Sequence, residues 1–122
     1  MLSTIKGAGV RTAILSNGSP TMLVAAVRRA ELEDLLDEVI SVDSVRIYKP
    51  HPRVYQLAVD RLRLPSESIC FLSANAWDAS GAAYFGFRVV WINRFRAHPE
   101  QLPGVPEKEI HDLAALPSLL GL

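Results

Sequence analysis

Cysteine is almost missing from these 122 residues. Cys70 stands alone, so no intrachain disulfide can form. Its place inside an apolar run predicts a packed thiol, not a reactive one. Charge of one sign is missing as well. The 13 basic and 13 acidic residues cancel, which leaves no basic excess for nucleic acid or an anionic membrane surface. No apolar run is long enough to span a bilayer. The opening MLSTIKGAGVRT has no sustained apolar stretch and does not read as a signal peptide. The three histidines, His51, His98 and His111, show no metal-ligand spacing, and one cysteine does not make a structural zinc site. No Gly-x-Gly-x-x-Gly, P-loop or Gly-x-Ser-x-Gly occurs. Repeats and low-complexity tracts are absent too. What remains is the length of one domain with 49% apolar residues, enough for a core and too many for disorder. A reducing, cytoplasmic setting fits this cysteine usage.

Four short apolar runs stand out: Thr12 to Leu15, Val39 to Val42, Ile69 to Leu72 and Val89 to Ile92. Each is nearly continuous and bounded by polar or turn residues, as expected of strands covered on both faces. Helical patterns lie between them. Leu23, Val27 and Ala30 make one apolar face, with Ser19 as N-cap and Pro20 at the first helical position. Val54, Leu57, Ala58 and Leu62 make another, between Pro52 and Pro65. A shorter helix is expected after Asp78, ending near Gly86. Strand, helix, strand, repeated, implies an α/β fold with a parallel sheet and right-handed crossovers. The stretch from Asn93 reads as looser, with Pro99, Pro103 and Pro106, then a last helix from about Asp112 to Leu120.

In such sheets ligands bind beyond the carboxyl ends of the strands. The first run is followed by SNGSP, the second by DSVRIYKP, the third by SANAWD and the fourth by NRF. Ser16 and Asn17, ahead of a helix start, can hold an anion, although a turn plus an N-cap explains them first. Lys49 before Pro50 can neutralise a carboxylate, although most lysines are solvated surface groups. Tyr55 can reach the same edge with its hydroxyl or sit as half-buried core. SANAWD is the strongest local signal. Asp78 near a helix start can orient or deprotonate a water, where the bland reading is an ordinary first-turn aspartate. Trp77 is more often packing than ligand contact, yet rings beside polar groups also typify small-molecule sites. Nothing places a histidine near Ser16, so a Ser/His/Asp arrangement is set aside.

Taken together, AILSNGSP, VISVDSVRIYKPHPRVYQLA, LSANAWDASGAAYFGF and VVWINR resemble the L-2-haloacid dehalogenases of the haloacid dehalogenase (HAD) superfamily. They stand in that family's order and spacing over most of the chain. The resemblance implies a Rossmann-like core and a two-step reaction. An aspartate attacks the halogen-bearing carbon of a short 2-haloacid, halide leaves, and water then hydrolyses the aspartyl ester to a 2-hydroxy acid. By resemblance, Ser16 binds the substrate carboxylate and Asn17 belongs to a halide cradle near Trp77. Lys49 holds the nucleophile, and Tyr55, Ser73 and Asn75 complete the hydrogen-bond network. Asp78 activates the hydrolytic water. No cofactor is implied. HAD phosphatases usually carry a further acidic residue in the segment matching SANAWD to hold Mg²⁺, whereas Asn75 occupies its middle here. One small departure is Ala74, where many relatives have serine.

A larger departure lies at the front. The family's first motif, an aspartate followed by a threonine after the first strand, is not found before Thr12, and the helical cap with its halide-binding arginine is not found either. The expectation is therefore a partial core domain over residues 1–122. Its four strands match the family's second to fifth, and residues 1–10 match the end of the preceding helix. The central strand and the cap are missing. Three arrangements follow: the strands at Thr12 to Leu15 and Ile69 to Leu72 pair directly, a second copy fills the gap, or the native protein holds the missing segment. The last is favoured. Relatives are often homodimers, but cap helices commonly contribute to that contact, so a homodimer stays open. Besides the 2-haloacid hydrolase, two alternatives remain, a HAD phosphatase and a non-catalytic remnant that binds small carboxylates or a partner chain.

Overall fold

A computed structural model describes residues 1–122. The four apolar runs form β1 (Ala13–Ser16), β2 (Glu38–Ser41), β3 (Cys70–Ser73) and β4 (Arg88–Ile92), and every pairing is parallel. A further strand, β5 (Lys108–Ile110), lies in the stretch expected to be loose. It pairs with β4 from Val90↔Lys108 to Ile92↔Ile110. Its lone apolar residue, Ile110, gives no periodic signal, which is why the pattern hides it.

The helices start where their caps say. In α2 (Pro20–Arg29) the Ser19 hydroxyl accepts from the Met22 amide at 3.2 Å. Leu23 and Val27 face inward. In α3 (Pro52–Leu62) the cap is His51, whose Nδ1 accepts from the Arg53 amide at 3.1 Å. The next helix, α4 (Ala76–Phe85), begins before Asp78 and not after it, so Asp78 lies in its first turn. It stops at Gly86, whose φ of 127° suits only glycine. Short helices close the two ends of the chain, α1 (Leu2–Gly7) and α5 (Leu116–Leu119). No helix is long and apolar enough to cross a membrane.

The parallel architecture is the expected one, but the sheet is in two pieces. β1 pairs only with β2, and β3–β4–β5 form a separate ladder. Direct pairing of β1 with β3 therefore does not occur. β4, with a neighbour on each side, is buried from Val89 to Ile92. Its alternate residues serve two cores, as the period of two requires. Val89 and Trp91 pack with Tyr55, Ala58 and Ala79 under α3 and α4. Val90 and Ile92 pack with Ile5, Ile110 and Leu116 on the other face. By contrast Ile14, Leu15, Phe71 and Leu72, on strands with one neighbour each, stay half-buried. Between β1 and β3 lies a largely apolar channel of about 710 Å³. Cys70 opens to solvent at its border, so the packed thiol expected there is not what the fold makes.

The 99–106 segment lies across α4 at Gly104. A Cβ there would run into the Ser80 carbonyl oxygen and come within 2.6 Å of the Tyr84 amide nitrogen. At the opposite end of β1, Asp37 accepts from the Thr12 amide at 2.7 Å and from the Lys6 ammonium, tying α1 to the first strand pair. The lysine, then the amide, hold its carboxyl below the ordinary 3.8. The unfolded chain takes up this proton first as pH falls. The interaction is therefore intact above the ordinary carboxylate value and is lost as pH drops through the depressed one. The Tm advantage of the wild type over Asp37→Asn is expected to hold at neutral pH and to shrink below about pH 4. A constant difference in thermal melts across that range would show the carboxylate to be idle.

Candidate active site

Three loops meet beyond the carboxyl ends of β1 and β3. The hub is Asp78, whose side chain is 2% exposed. Its Oδ2 accepts from Lys49 Nζ at 2.8 Å, and its Oδ1 accepts from the Tyr55 hydroxyl at 2.8 Å. Tyr55 is wholly buried, its ring edge-on to those of Phe71 and Phe87. Burial and then the Asp78 carboxylate push the phenol pKa well above its usual value. It therefore stays protonated, a permanent donor to Asp78. Lys49, 12% exposed, sits 5.7 Å over the Phe71 ring, which adds a cation–π contact. An ammonium has three donors, so those not given to Asp78 can hold a second anion.

The backbone carries the arrangement further. Asn17 Oδ1 accepts from the Lys49 amide at 2.9 Å, which joins the loop after β1 to the lysine. Ser16 Oγ accepts from the Gly18 amide at 3.0 Å, and the Ser41 hydroxyl, at the end of β2, donates to the Gly18 carbonyl at 2.6 Å. Ser73 Oγ accepts from the Asn75 amide at 3.1 Å and shapes the turn into α4. Trp91 Nε1 donates to the Ala74 carbonyl at 3.3 Å and holds the same turn from β4. Gly81 permits the close approach of α3. A Cβ there would lie 2.7 Å from the Pro50 ring and 2.9 Å from the Tyr55 hydroxyl.

Of the residues expected from sequence, Lys49, Tyr55 and Asp78 meet directly, and Asn17 joins them through the lysine backbone. Ser16 and Ser73 are occupied with their own turns. Asn75 is exposed and its side chain caps nothing. Trp77 is 37% exposed and makes no hydrogen bond to the others. Phe71, Ser41, Trp91 and Gly81 were not anticipated. Phe71 and Trp91 read as core within apolar runs. Ser41 had a signal, since it ends its strand in register with Ser16.

A parallel α/β fold that gathers a lysine–carboxylate pair at its strand ends has the framework of a hydrolase core. The family of haloacid dehalogenase-like hydrolases matches residues 1–86, and the chain belongs to it. It is 48% identical over 120 residues to (S)-2-haloacid dehalogenase 1 of Pseudomonas sp. (strain CBS-3), covering 98% of this chain and 52% of that protein. The fold superposes on the L-2-haloacid dehalogenase RSc1362 with a TM-score of 0.96 and 41% identity, over 99% of this chain and 53% of that one. It also superposes on the L-2-haloacid dehalogenase of Xanthobacter autotrophicus with chloropropionic acid covalently bound. There the TM-score is 0.93 and the identity 33%, over 98% of this chain and 58% of that one. The chain thus spans about half the length of the relatives it matches.

Tyr55→Phe leaves a buried carboxylate oxygen without its donor and is expected to cost about 1–3 kcal/mol. Denaturant unfolding beside Tyr84→Phe, an exposed control, checks it. Equal stability of the two variants would contradict the hub role of Asp78.

Proposed function

We propose that residues 1–122 are the partial core of a 2-haloacid dehalogenase that converts short L-2-haloacids to 2-hydroxy acids through an aspartyl ester. The observation that carries this is the Asp78 carboxylate held between Lys49 and Tyr55 beside Asn17. Ser16 and the amides after it take the substrate carboxylate. Asn17 and Trp77 line the departing halide. Lys49 holds the attacking carboxylate and its changing charge, a preorganised donor of the kind that lowers such barriers most. Asp78 then takes a proton from the water that opens the ester, and Tyr55, Ser73 and Asn75 keep the surrounding network in place.

Two carboxylates are needed, one to attack carbon and one to take the proton of the water, and Asp78 supplies only one of them. No aspartate precedes Asp34 in this sequence. In this reading the nucleophile belongs to a segment outside these 122 residues. Asn75 also supports it over a magnesium-dependent phosphatase, whose metal would call for a further carboxylate there.

The 122-residue chain by itself is expected to release no halide from 2-chloropropionate. Turnover near that of its relatives would refute the assignment of the nucleophile. In a chain extended by a segment that supplies this aspartate, Asp78→Asn is expected to stall ester hydrolysis. Mass spectrometry after substrate addition should then show the covalent adduct. Normal turnover without an adduct would remove Asp78 from the water-activating role.

A further inference from the structure

We propose that Asn17 is a self-modification site. It deamidates through the Gly18 nitrogen, and Ser16, Ser41 and the Lys49 backbone hold the reaction back while the loop after β1 stays closed.

The step needs only water. The Gly18 nitrogen gives up its proton and attacks Asn17 Cγ. The bond from Cγ to the side-chain nitrogen breaks, and that nitrogen leaves with the proton as ammonia. A cyclic imide remains, and water opens it at either carbonyl. One opening restores the backbone with an aspartate at this position. The other routes the chain through the side chain as isoaspartate. Nothing is oxidised or reduced.

The chain has three asparagines, and only Asn17 precedes a glycine. Asn75 precedes Ala76 and Asn93 precedes Arg94, whose Cβ atoms crowd the attacking nitrogen. Asn93 is also buried, with its amide tied to Ala97 at both ends. Glycine lacks that Cβ, and the fold does not demand it here. A Cβ at Gly18 would meet Ser16 Oγ at 3.3 Å and the Leu23 side chain at 3.5 Å, and the backbone is not left-handed. The leaving nitrogen is free. Asn17 spends its Oδ1 on the Lys49 amide, and no protein group accepts from its Nδ2. Asn17 and Gly18 also line an open polar hollow of about 320 Å³, which admits the water for the second step.

Three hydrogen bonds oppose the reaction. Ser16 Oγ accepts the Gly18 N–H at 3.0 Å, and this is the proton that must leave. The Ser41 hydroxyl holds the Gly18 carbonyl at 2.6 Å from the end of β2. The Lys49 amide holds Asn17 Oδ1 at 2.9 Å from the loop before α3. Ring closure takes away the proton that Ser16 holds and pulls Cγ onto the Gly18 nitrogen, against the Lys49 contact. Local opening of the loop removes all three restraints together. The product carries a carboxylate where a neutral amide lay, and that charge repels an anion brought to the same loop.

The modification stands on these contacts. Only its effect on substrate rests on the dehalogenase reading. The test incubates the 122-residue chain in mildly alkaline buffer and follows the tryptic fragment Thr12–Arg28, in which Asn17 is the only asparagine. Mass spectrometry reads the exchange of amide for carboxyl, and isoaspartyl methyltransferase labelling reads the isoaspartate. The wild type is expected to convert at Asn17, more slowly than a synthetic peptide of the same sequence. Ser16→Ala and Ser41→Ala each remove one restraint and should speed conversion about fivefold, the rate equivalent of one hydrogen bond. Thermal melts separate this from unfolding, since an unfolded variant converts at the rate of the peptide. Gly18→Ala should suppress conversion. A wild type that never converts, or converts as fast as the peptide, would overturn the proposal. So would folded serine variants at the wild-type rate, or conversion without isoaspartate. In a chain extended by the segment that supplies the nucleophile, turnover should fall as the new carboxylate accumulates. Full turnover of modified protein would leave the modification site standing and count against the place of Asn17 in the dehalogenase reading.

Discussion

Each oxygen of the Asp78 carboxylate is held by a different part of the chain, and the site exists because of that division. Lys49 comes from the loop before α3, Tyr55 from within α3, and Asp78 from the first turn of α4. Tyr55 and Asp78 are buried and Lys49 is only 12% exposed, so water has little access to replace these partners. Removing one member of a buried ion pair costs about 3–5 kcal/mol, against a net stability of ~5–15 kcal/mol for an ordinary domain. The geometry of the candidate site and part of what holds α3 and the loop before it to α4 are therefore the same two hydrogen bonds. The permissive neighbour is Gly81, which lets the Tyr55 hydroxyl come close enough to make one of them.

Lys49 belongs to two environments at once. One side serves Asp78, and the other borders the open channel. The Phe71 ring beneath it excludes water from part of its surroundings without neutralising it. A cation so placed is half satisfied. This is a poor arrangement for stability alone and a suitable one for receiving a second anion.

The strands legible in the sequence were those with continuous apolar runs. β1 to β4 could be read because both faces of a parallel sheet are covered, and that demand writes itself into consecutive residues. β5 could not be read, because an edge strand needs only Ile110 to face the core. The cap at His51 was hidden for a different reason: its Nδ1 acts locally on the Arg53 amide, a use of histidine that composition does not reveal. At the site, residue types and order pointed to Lys49, Tyr55 and Asp78. Sequence could not show that Asn17 would act on the lysine's backbone, or that Ser73 would spend its hydroxyl on a turn. Those outcomes depend on side-chain direction, which no spacing rule supplies. The solvent-facing Cys70 misled because its run looks buried. It lies on β3, which has a strand neighbour on one side only, and borders the open channel.

α3 has a role beyond carrying Tyr55. Ile40 of β2 shares a core cluster with Tyr55, Ala58 and Leu62, and these in turn pack with Ala79, Val89 and Trp91. No strand ladder crosses from one half-sheet to the other, so this helix is an apolar bridge between them, beside α1, whose Ile5 packs on β4 and whose Lys6 pairs with Asp37. Coupling between the halves then runs through α3 and α1 and not through a strand ladder. The β1–β2 unit can open while β3–β4–β5 keeps its own core of Val90, Ile92 and Ile110. Hydrogen exchange is therefore expected to be faster at the β1–β2 amides than at those of β4.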